Sequence, residues 1–149
     1  MDNIIFDSGM RSFRINDGGV LRFNPSDPNV YARFMDAVEK IKNVESEQAE
    51  KANLIDRNAA SAPEEILHIM SETDKKIKGI LNDVFGNGNN FDELLEGVNL
   101  MAVATNGERV ISNLIDALLP IMEAGAKACV QSEANDAKLN REQRRALQE

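Results

Sequence analysis

The strongest constraint on the fold is a short stretch near the N-terminus in which apolar and polar residues alternate on both sides of a turn. In "RSFRI", Phe13 and Ile15 alternate with polar residues, and in "VLRF", Leu21 and Phe23 do the same. A period of two is typical of a strand with one buried face. Because the two runs flank Asp-Gly-Gly, we predict a β-hairpin or a three-stranded meander within residues 3–23.

The register of this hairpin follows from the rule that residues directly opposite each other share a face. A two-residue loop at 17–18 would place Phe13 opposite Arg22 and would mix the two faces. A three-residue loop at 17–19 places Phe13 opposite Phe23 and supplies a glycine for the left-handed position of such loops. We therefore predict the three-residue loop.

A two-stranded hairpin is marginally stable in water, so it needs a third strand or a covering helix. The candidate strand is "NIIF", residues 3–6. We expect it to pair within the chain after the "DSG" turn, because sequential strands are usually neighbours. The alternative is pairing with the edge of a neighbouring subunit, which would make Ile4, Ile5 and Phe6 oligomerisation residues.

The rest of the domain, residues 28–131, is predicted to be helical. Asp27 is the predicted N-cap of the first helix, and Pro28 its first residue, where the missing N–H costs nothing. The apolar stripe of this helix is Tyr31, Phe34, Val38 and Ile41.

A second helix is predicted to start with a capping box, Ser61 with Glu64, and to stop at Gly86. A short third helix covers "FDELLEGV". The predicted buried face of the second helix is Ile66, Met70, Ile77, Leu81 and Val84.

The last helix is predicted to begin near residues 106–107, and its apolar stripe is broad enough to place it in the core. Pro120 predicts a kink or a restart, since it removes a helical hydrogen bond. Residues 132–149 are polar and are predicted to be a frayed helix or disordered. The predicted class is thus mainly α with a small antiparallel β element (α+β), a bundle of about four helices. The stripe comprises Val110, Ile111, Leu114, Ile115, Leu118, Leu119, Ile121 and Met122.

Composition restricts the functional classes. The chain has 149 residues, which fits one domain at 1–131, and a net charge of -8 argues against a surface that follows a phosphate backbone. The single cysteine, Cys129, excludes an internal disulfide, and "MDNIIFDSGM" is unlike a signal peptide or a membrane anchor. We expect a cytoplasmic protein without nucleic-acid or membrane partners.

We find no recognisable catalytic or metal-binding pattern. His68 is the only histidine, which removes mechanisms that need two imidazoles, and Cys129 fits a small core residue. The loop "FGNGNN" lacks the strand and the Lys-Ser or Lys-Thr of a phosphate cradle, and its acids lack calcium-loop spacing. A helix terminator explains it better, so we predict no enzyme activity, metal or cofactor.

Four pieces of the sequence together carry a family resemblance. They are "FRINDGGVLRF", "NPSDPNVYARFMDAVEKI", "LNDVFG" with its Gly-Asn loop, and "ISNLIDALLPIMEAGAK". In the order of these pieces and in their residue patterns, roughly residues 10–128 resemble the tail assembly chaperones of long-tailed (siphovirus-type) bacteriophages of Gram-positive bacteria.

The resemblance implies a non-enzymatic protein that binds and solubilises the tape measure protein before the tail tube polymerises. It further implies a location in the host cytoplasm, absence from the mature virion, and the tail tube protein as a further candidate partner. The surplus of apolar faces favours self-association, with the hairpin as an assembly element. A second hypothesis is a minor structural, scaffold or connector protein that is retained in the particle.

Overall fold

In the computed structural model, which describes residues 1–86 and 88–148, two strands precede four helices. The elements are β1 (Arg11–Arg14), β2 (Val20–Phe23), α1 (Pro28–Asn53), α2 (Ala62–Phe85), α3 (Phe91–Leu94) and α4 (Val110–Gln148). Helix α1 packs against both α2 and α4, and α3 packs against α2. This arrangement confirms the predicted α+β class. None of the described helices has the length and apolar character needed to cross a membrane.

Helix α1 begins as predicted. The Asp27 side chain accepts a hydrogen bond from the Asn29 N–H at 2.9 Å, and Pro28 occupies the first helical turn. The predicted stripe is only partly correct, because Tyr31 and Val38 are half-buried at its margin. The buried face is Val30, Phe34, Ala37, Ile41, Gln48 and Ala52.

The predicted capping box of α2 is wrong. Ser61 already has helical backbone angles, φ -85° and ψ -5°, and its hydroxyl donates to Glu65 (3.3 Å) instead of capping an N–H. The predicted end of the helix at Gly86 is confirmed. Its φ of 78° is accessible to glycine without steric cost.

The hairpin is present, but its predicted register is wrong. Phe13 lies opposite Leu21 rather than opposite Phe23. The loop has three residues as predicted, but these are 16–18 instead of 17–19. The pairing is therefore displaced by two residues, which keeps the apolar side chains on one face.

The turn adopts this position because Asn and Asp accept left-handed backbone angles. Asn16 and Asp17 have φ values of 48° and 61°, so the positive φ does not fall on a glycine. Gly18 and Gly19 serve a different purpose, which is close approach to the Glu96 side chain and to α3, respectively. A Cβ on Gly19 would lie 2.9 Å from Cδ2 of Leu94.

The expected pairing of "NIIF" within the chain is also wrong. The described residues contain a sheet of two strands only, β1 and β2. Residues 3–6 lie outside helix and strand and are exposed. The hairpin is instead covered on its apolar face by the helical layer, which provides the alternative support that a small sheet needs.

Aromatic side chains from five elements form the centre of the core. Phe23 packs edge-on against Phe85 with ring centroids 4.8 Å apart, and Phe85 in turn contacts Phe34 and Phe91. Phe13 stacks on Phe23 from β1 at 5.1 Å. These contacts join the hairpin to α1, α2 and α3, so the position of β1 is fixed by the core.

Helix α4 passes close to the turn between β2 and α1. A Cβ built on Gly125 would lie 1.8 Å from the carbonyl oxygen of Pro25, so only glycine fits here. The helix is continuous through Pro120, so the predicted restart is absent. Because proline lacks an N–H, the carbonyl of Asp116 lacks its usual donor.

The polar C-terminal segment is helical in the structure. Helix α4 continues to Gln148, and residues 131–147 are all exposed. The predicted domain boundary after residue 131 stays a prediction. Asn87 of the Gly-Asn loop and Glu149 of the tail lie outside the described residues.

Candidate interaction surfaces

The three residues predicted to mediate oligomerisation lie together in an exposed N-terminal segment. Ile4, Ile5 and Phe6 are 86, 85 and 74% exposed. Since scattered surface hydrophobes are common but a run of three is not, this segment is a candidate interaction surface. Its role in oligomerisation stays a prediction.

The chain just after this segment is held by side chains. The Asn24 amide donates to the carbonyl of Ser8 at 3.1 Å, and the Gly9 N–H donates to Asp7 at 2.8 Å. Gly9 has a φ of 76°, and a Cβ there would lie 2.5 Å from the Asn24 amide nitrogen. Residues 7–9 therefore form a turn that is fixed to the residue following β2.

The β2 edge of the sheet is closed by one side chain. Asn89 is buried, accepts from the Arg22 N–H at 3.0 Å, and donates to the Arg22 carbonyl at 2.7 Å. It also donates to the Phe85 carbonyl at 3.1 Å. The Asn89 amide thus occupies the position that a third strand would take next to β2.

The β1 edge is open. The Ile15 N–H donates to the Gly19 carbonyl at 2.8 Å, so Ile15 and every second residue before it direct their N–H and C=O groups toward β2. Because inward and outward residues alternate in an antiparallel pair, Ser12 and Arg14 direct their N–H and C=O groups away from β2. Among residues 1–86 and 88–148, no hydrogen bond reaches those groups from the outer side.

An apolar groove, here called the hairpin groove, runs between β1 and the first half of α4. It encloses about 410 Å³. Phe13 and Ile15 form one wall, and half-buried or exposed residues of α4 form the other. Those α4 residues include Leu114, Ala117 and Ile121.

A second groove, the α1 groove, lies on the other side of α4. It encloses about 210 Å³, and its aliphatic lining comes from Val38 and Ile41 of α1 and from Ile111 and Ile115 of α4. The same groove is lined by charged residues of both signs, namely Lys42, Glu45 and Asp116.

These two grooves explain the unusual width of the α4 stripe. Of its eight apolar residues, Ile111, Leu118 and Met122 are buried. The other five remain half-buried, and most of them line one groove or the other. The prediction that α4 contributes to the core is therefore confirmed for one face, while its flanks extend beyond what the core covers.

Charged groups around the core have structural partners. The Lys78 ammonium is 3.0 Å from Asp74 and 2.6 Å from Asp92, and Asp74 also accepts from the Leu100 N–H at 2.7 Å. This partly buried network ties α2 to α3 and to the segment before α4. Lys78 is therefore a structural residue.

Near the α1 groove, burial raises the pKa of the Glu45 carboxyl, and the Arg109 guanidinium opposes this by lowering it. Arg109 itself donates to the Met101 carbonyl at 2.7 Å. The net effect favours the neutral form of a carboxyl group at the groove rim.

The remaining residues singled out in the sequence lie apart from the grooves. His68 is exposed and lies 3.1 Å from Glu72 on the same helix, and Cys129 is half-buried. Within the described ranges, no three His, Cys, Asp or Glu side chains are grouped to hold a metal ion.

Sequence reasoning missed Asn24 and Asn89, which define the turn and the closed sheet edge. All three partner groups of Asn89 belong to the main chain, so no charge or apolar pattern marks this residue. The only local signal was the run of asparagines in "GNGNN", which reads as a loop. Comparison of the chain with protein-family models, with curated proteins and with solved structures found no match.

Proposed function

We propose that this protein is a non-enzymatic chaperone of phage tail assembly that binds and solubilises the tape measure protein in the host cytoplasm. The observation that carries the proposal is the apolar surface of α4 that its own fold leaves uncovered. The resemblance of residues 10–128 to tail assembly chaperones supplies the identity of the client. The protein leaves before the virion is complete.

The α1 groove is the proposed client site. Its volume of about 210 Å³ is below the roughly 300 Å³ at which pockets for small molecules begin, so it suits inserted side chains better than a whole ligand. Two long helices, α1 and α4, supply its walls. An amphipathic helix can place residues at i, i+3 and i+4 into such a groove, and the tape measure protein is a long helical client.

The charges on the chaperone fit this role. A net charge of -8 keeps a complex with an apolar client soluble through mutual repulsion between complexes. At the groove itself, Lys42 and Asp116 offer both signs to the polar flank of a client helix. The apolar lining supplies affinity, and these rim charges orient the client.

The test is co-expression with the tape measure protein encoded by the same phage, followed by size-exclusion chromatography with light scattering. We expect the client to be insoluble alone and to co-elute with this protein when both are expressed. Ile115→Asp, which places a carboxylate in the α1 groove, is expected to return the client to the insoluble fraction. Val130→Asp is the matched control, because Val130 is 69% exposed on the same helix and lines neither groove.

A client that stays insoluble beside the wild-type protein would contradict the chaperone function. Equal solubilisation by Ile115→Asp and wild type, with both folded by circular dichroism, would contradict the α1 groove as its site. Recovery of this protein from purified phage particles would favour the retained structural component instead.

A further inference from the structure

The chain presents an exposed segment, residues 3–6, with three apolar side chains, and an unpaired strand edge, and we propose that the segment of one copy of this protein binds the edge of another. Residues 3–6 of one copy add to the outer edge of β1 in the next copy as a third strand. Main-chain hydrogen bonds to Ser12 and Arg14 provide the pairing. Strand addition of this kind is a common mode of peptide recognition.

The open edge of β1 is the only edge of the hairpin that the described residues leave available. On β2, the outward N–H and C=O of Arg22 are already satisfied by Asn89. On β1, the equivalent groups of Ser12 and Arg14 face away from the sheet. An added strand therefore has one place to bind.

The segment of the same copy is held away from this edge. To fold back onto β1, the chain would have to reverse within residues 7–10. Ser8 and Gly9 are instead fixed to Asn24, which directly follows β2 and lies beyond the paired end of the hairpin. Residues 3–6 thus extend past the hairpin, and a second copy is the occupant that fits.

The side chains of the segment match the hairpin groove. In an added strand, Ile4 and Phe6 share a face, because side chains alternate with a period of two. Facing the Phe13 side of the sheet, they enter the apolar groove between β1 and α4. This removes from water two side chains that are 86% and 74% exposed in the single chain.

Charge supports the same orientation. The segment is flanked by Asp2 and Asp7, whereas β1 carries Arg11 and Arg14. With Ile4 and Phe6 in the groove, Asp7 lies on the opposite face of the strand, which is the face of Arg14. Opposite charges across neighbouring strands stabilise the pairing.

The resulting contact joins two different surfaces and is therefore heterologous. Each copy donates one segment and offers one edge, so copies add head to tail into a ring or an open chain. This inference goes beyond client binding, and its test contains no client, so the two proposals fail separately.

The first test is light scattering of the full-length protein over a range of concentrations. We expect the wild-type mass to rise with concentration and the association of Ile4→Lys to be roughly 100-fold weaker. The matched control is Leu54→Lys, because Leu54 is also 86% exposed but lies at the end of α1. It is expected to assemble like the wild type.

The second test uses acceptor variants, in which residues 3–6 are intact but the β1 edge or the hairpin groove is blocked. Arg14→Pro removes an outward N–H from β1 without removing a bond to β2, and edge strands tolerate proline. If this variant fails to fold by circular dichroism, Leu114→Glu replaces it and blocks the groove from α4. Each acceptor variant alone is expected to be monomeric.

Mixing Ile4→Lys with an acceptor variant is expected to give a pair that does not grow further. The mixture contains one intact segment and one intact edge per pair, so it forms a single contact. Each of three results would overturn the proposal: the wild type stays monomeric at all concentrations, Ile4→Lys assembles normally, or the mixture contains only monomers.

Discussion

Two glycine-to-alanine substitutions in helices are expected to change stability in opposite directions. Gly79 in α2 and Gly125 in α4 both lie inside helices and have no positive φ. Alanine is the better helix former by about 1 kcal/mol at such positions. Propensity alone therefore predicts that both substitutions stabilise the protein.

The surroundings of the two glycines differ. A Cβ on Gly79 meets nothing within 4 Å, whereas a Cβ on Gly125 would lie 1.8 Å from the Pro25 oxygen and 2.3 Å from its carbonyl carbon. Ordinary contact begins near 3.4 Å, so α4 and the turn must separate by about 1.6 Å. The obstacle is main chain, which cannot rotate away as a flexible side chain can.

We therefore expect Gly79→Ala to raise the unfolding free energy by about 0.5–1 kcal/mol. Overpacking of this severity costs about 3 kcal/mol, and the gain in propensity offsets about 1 kcal/mol of it. Gly125→Ala should then lower the unfolding free energy by about 2 kcal/mol.

Urea denaturation followed by circular dichroism at 222 nm measures both values. The comparison is best made below the concentration at which copies associate, because association adds to apparent stability. If Gly125→Ala is as stable as Gly79→Ala, α4 does not lie against the Pro25 carbonyl and the reasoning is refuted.

Two further predictions concern buried charge. Lys78→Met leaves the buried carboxylate of Asp74 without its cation and is expected to lower the unfolding free energy in urea by about 3 kcal/mol. Asp92→Asn changes a carboxylate that is 65% exposed and is expected to lower it by less than about 1 kcal/mol. Equal losses for the two variants would contradict the burial assigned to Asp74. Burial raises the pKa of Glu45 more than Arg109 lowers it, so the fold favours the neutral carboxyl. Its contribution to the unfolding free energy is fully present below the ordinary glutamate pKa and is lost as the pH rises through the raised pKa, so the wild type should lose stability relative to Glu45→Gln over this interval. Superimposable pH profiles of the two proteins would disprove that sign.

The parts of the fold that depend on local signals were predictable. The start of α1 follows from Asp27 and Pro28, and the end of α2 follows from Gly86, because caps act within one turn. The period-two pattern likewise identified the hairpin and its apolar face. These features need only a few neighbouring residues.

The errors arose where distant residues decide between local alternatives. From the sequence we considered loops at 17–18 and 17–19, whereas the observed loop starts at Asn16 and brings Gly19 against Leu94, which is distant in sequence. The third strand was expected because a two-stranded hairpin alone is only marginally stable in water. Asn89, 67 residues from Arg22, satisfies one edge instead.

The candidate site was predictable only in part. The broad apolar stripe of α4 was predicted from the pattern of residues, whereas pairing of "NIIF" with a neighbouring subunit was only the alternative to pairing within the chain. The division of the stripe into core residues and groove residues could not be predicted, because it depends on how far α1 and the hairpin extend over α4. Leu118 is buried and Leu114 is half-buried, although both are leucines one helical turn apart.

Pro120 has a consequence for hydrogen bonding at the proposed client site. The carbonyl of Asp116, which it leaves without an N–H donor, belongs to a residue that lines the α1 groove. A carbonyl without its helical donor needs another one, and water or a serine, threonine or asparagine side chain of a bound client can supply it. Because such a bond joins uncharged groups, salt weakens it less than it weakens attraction to the charged rim.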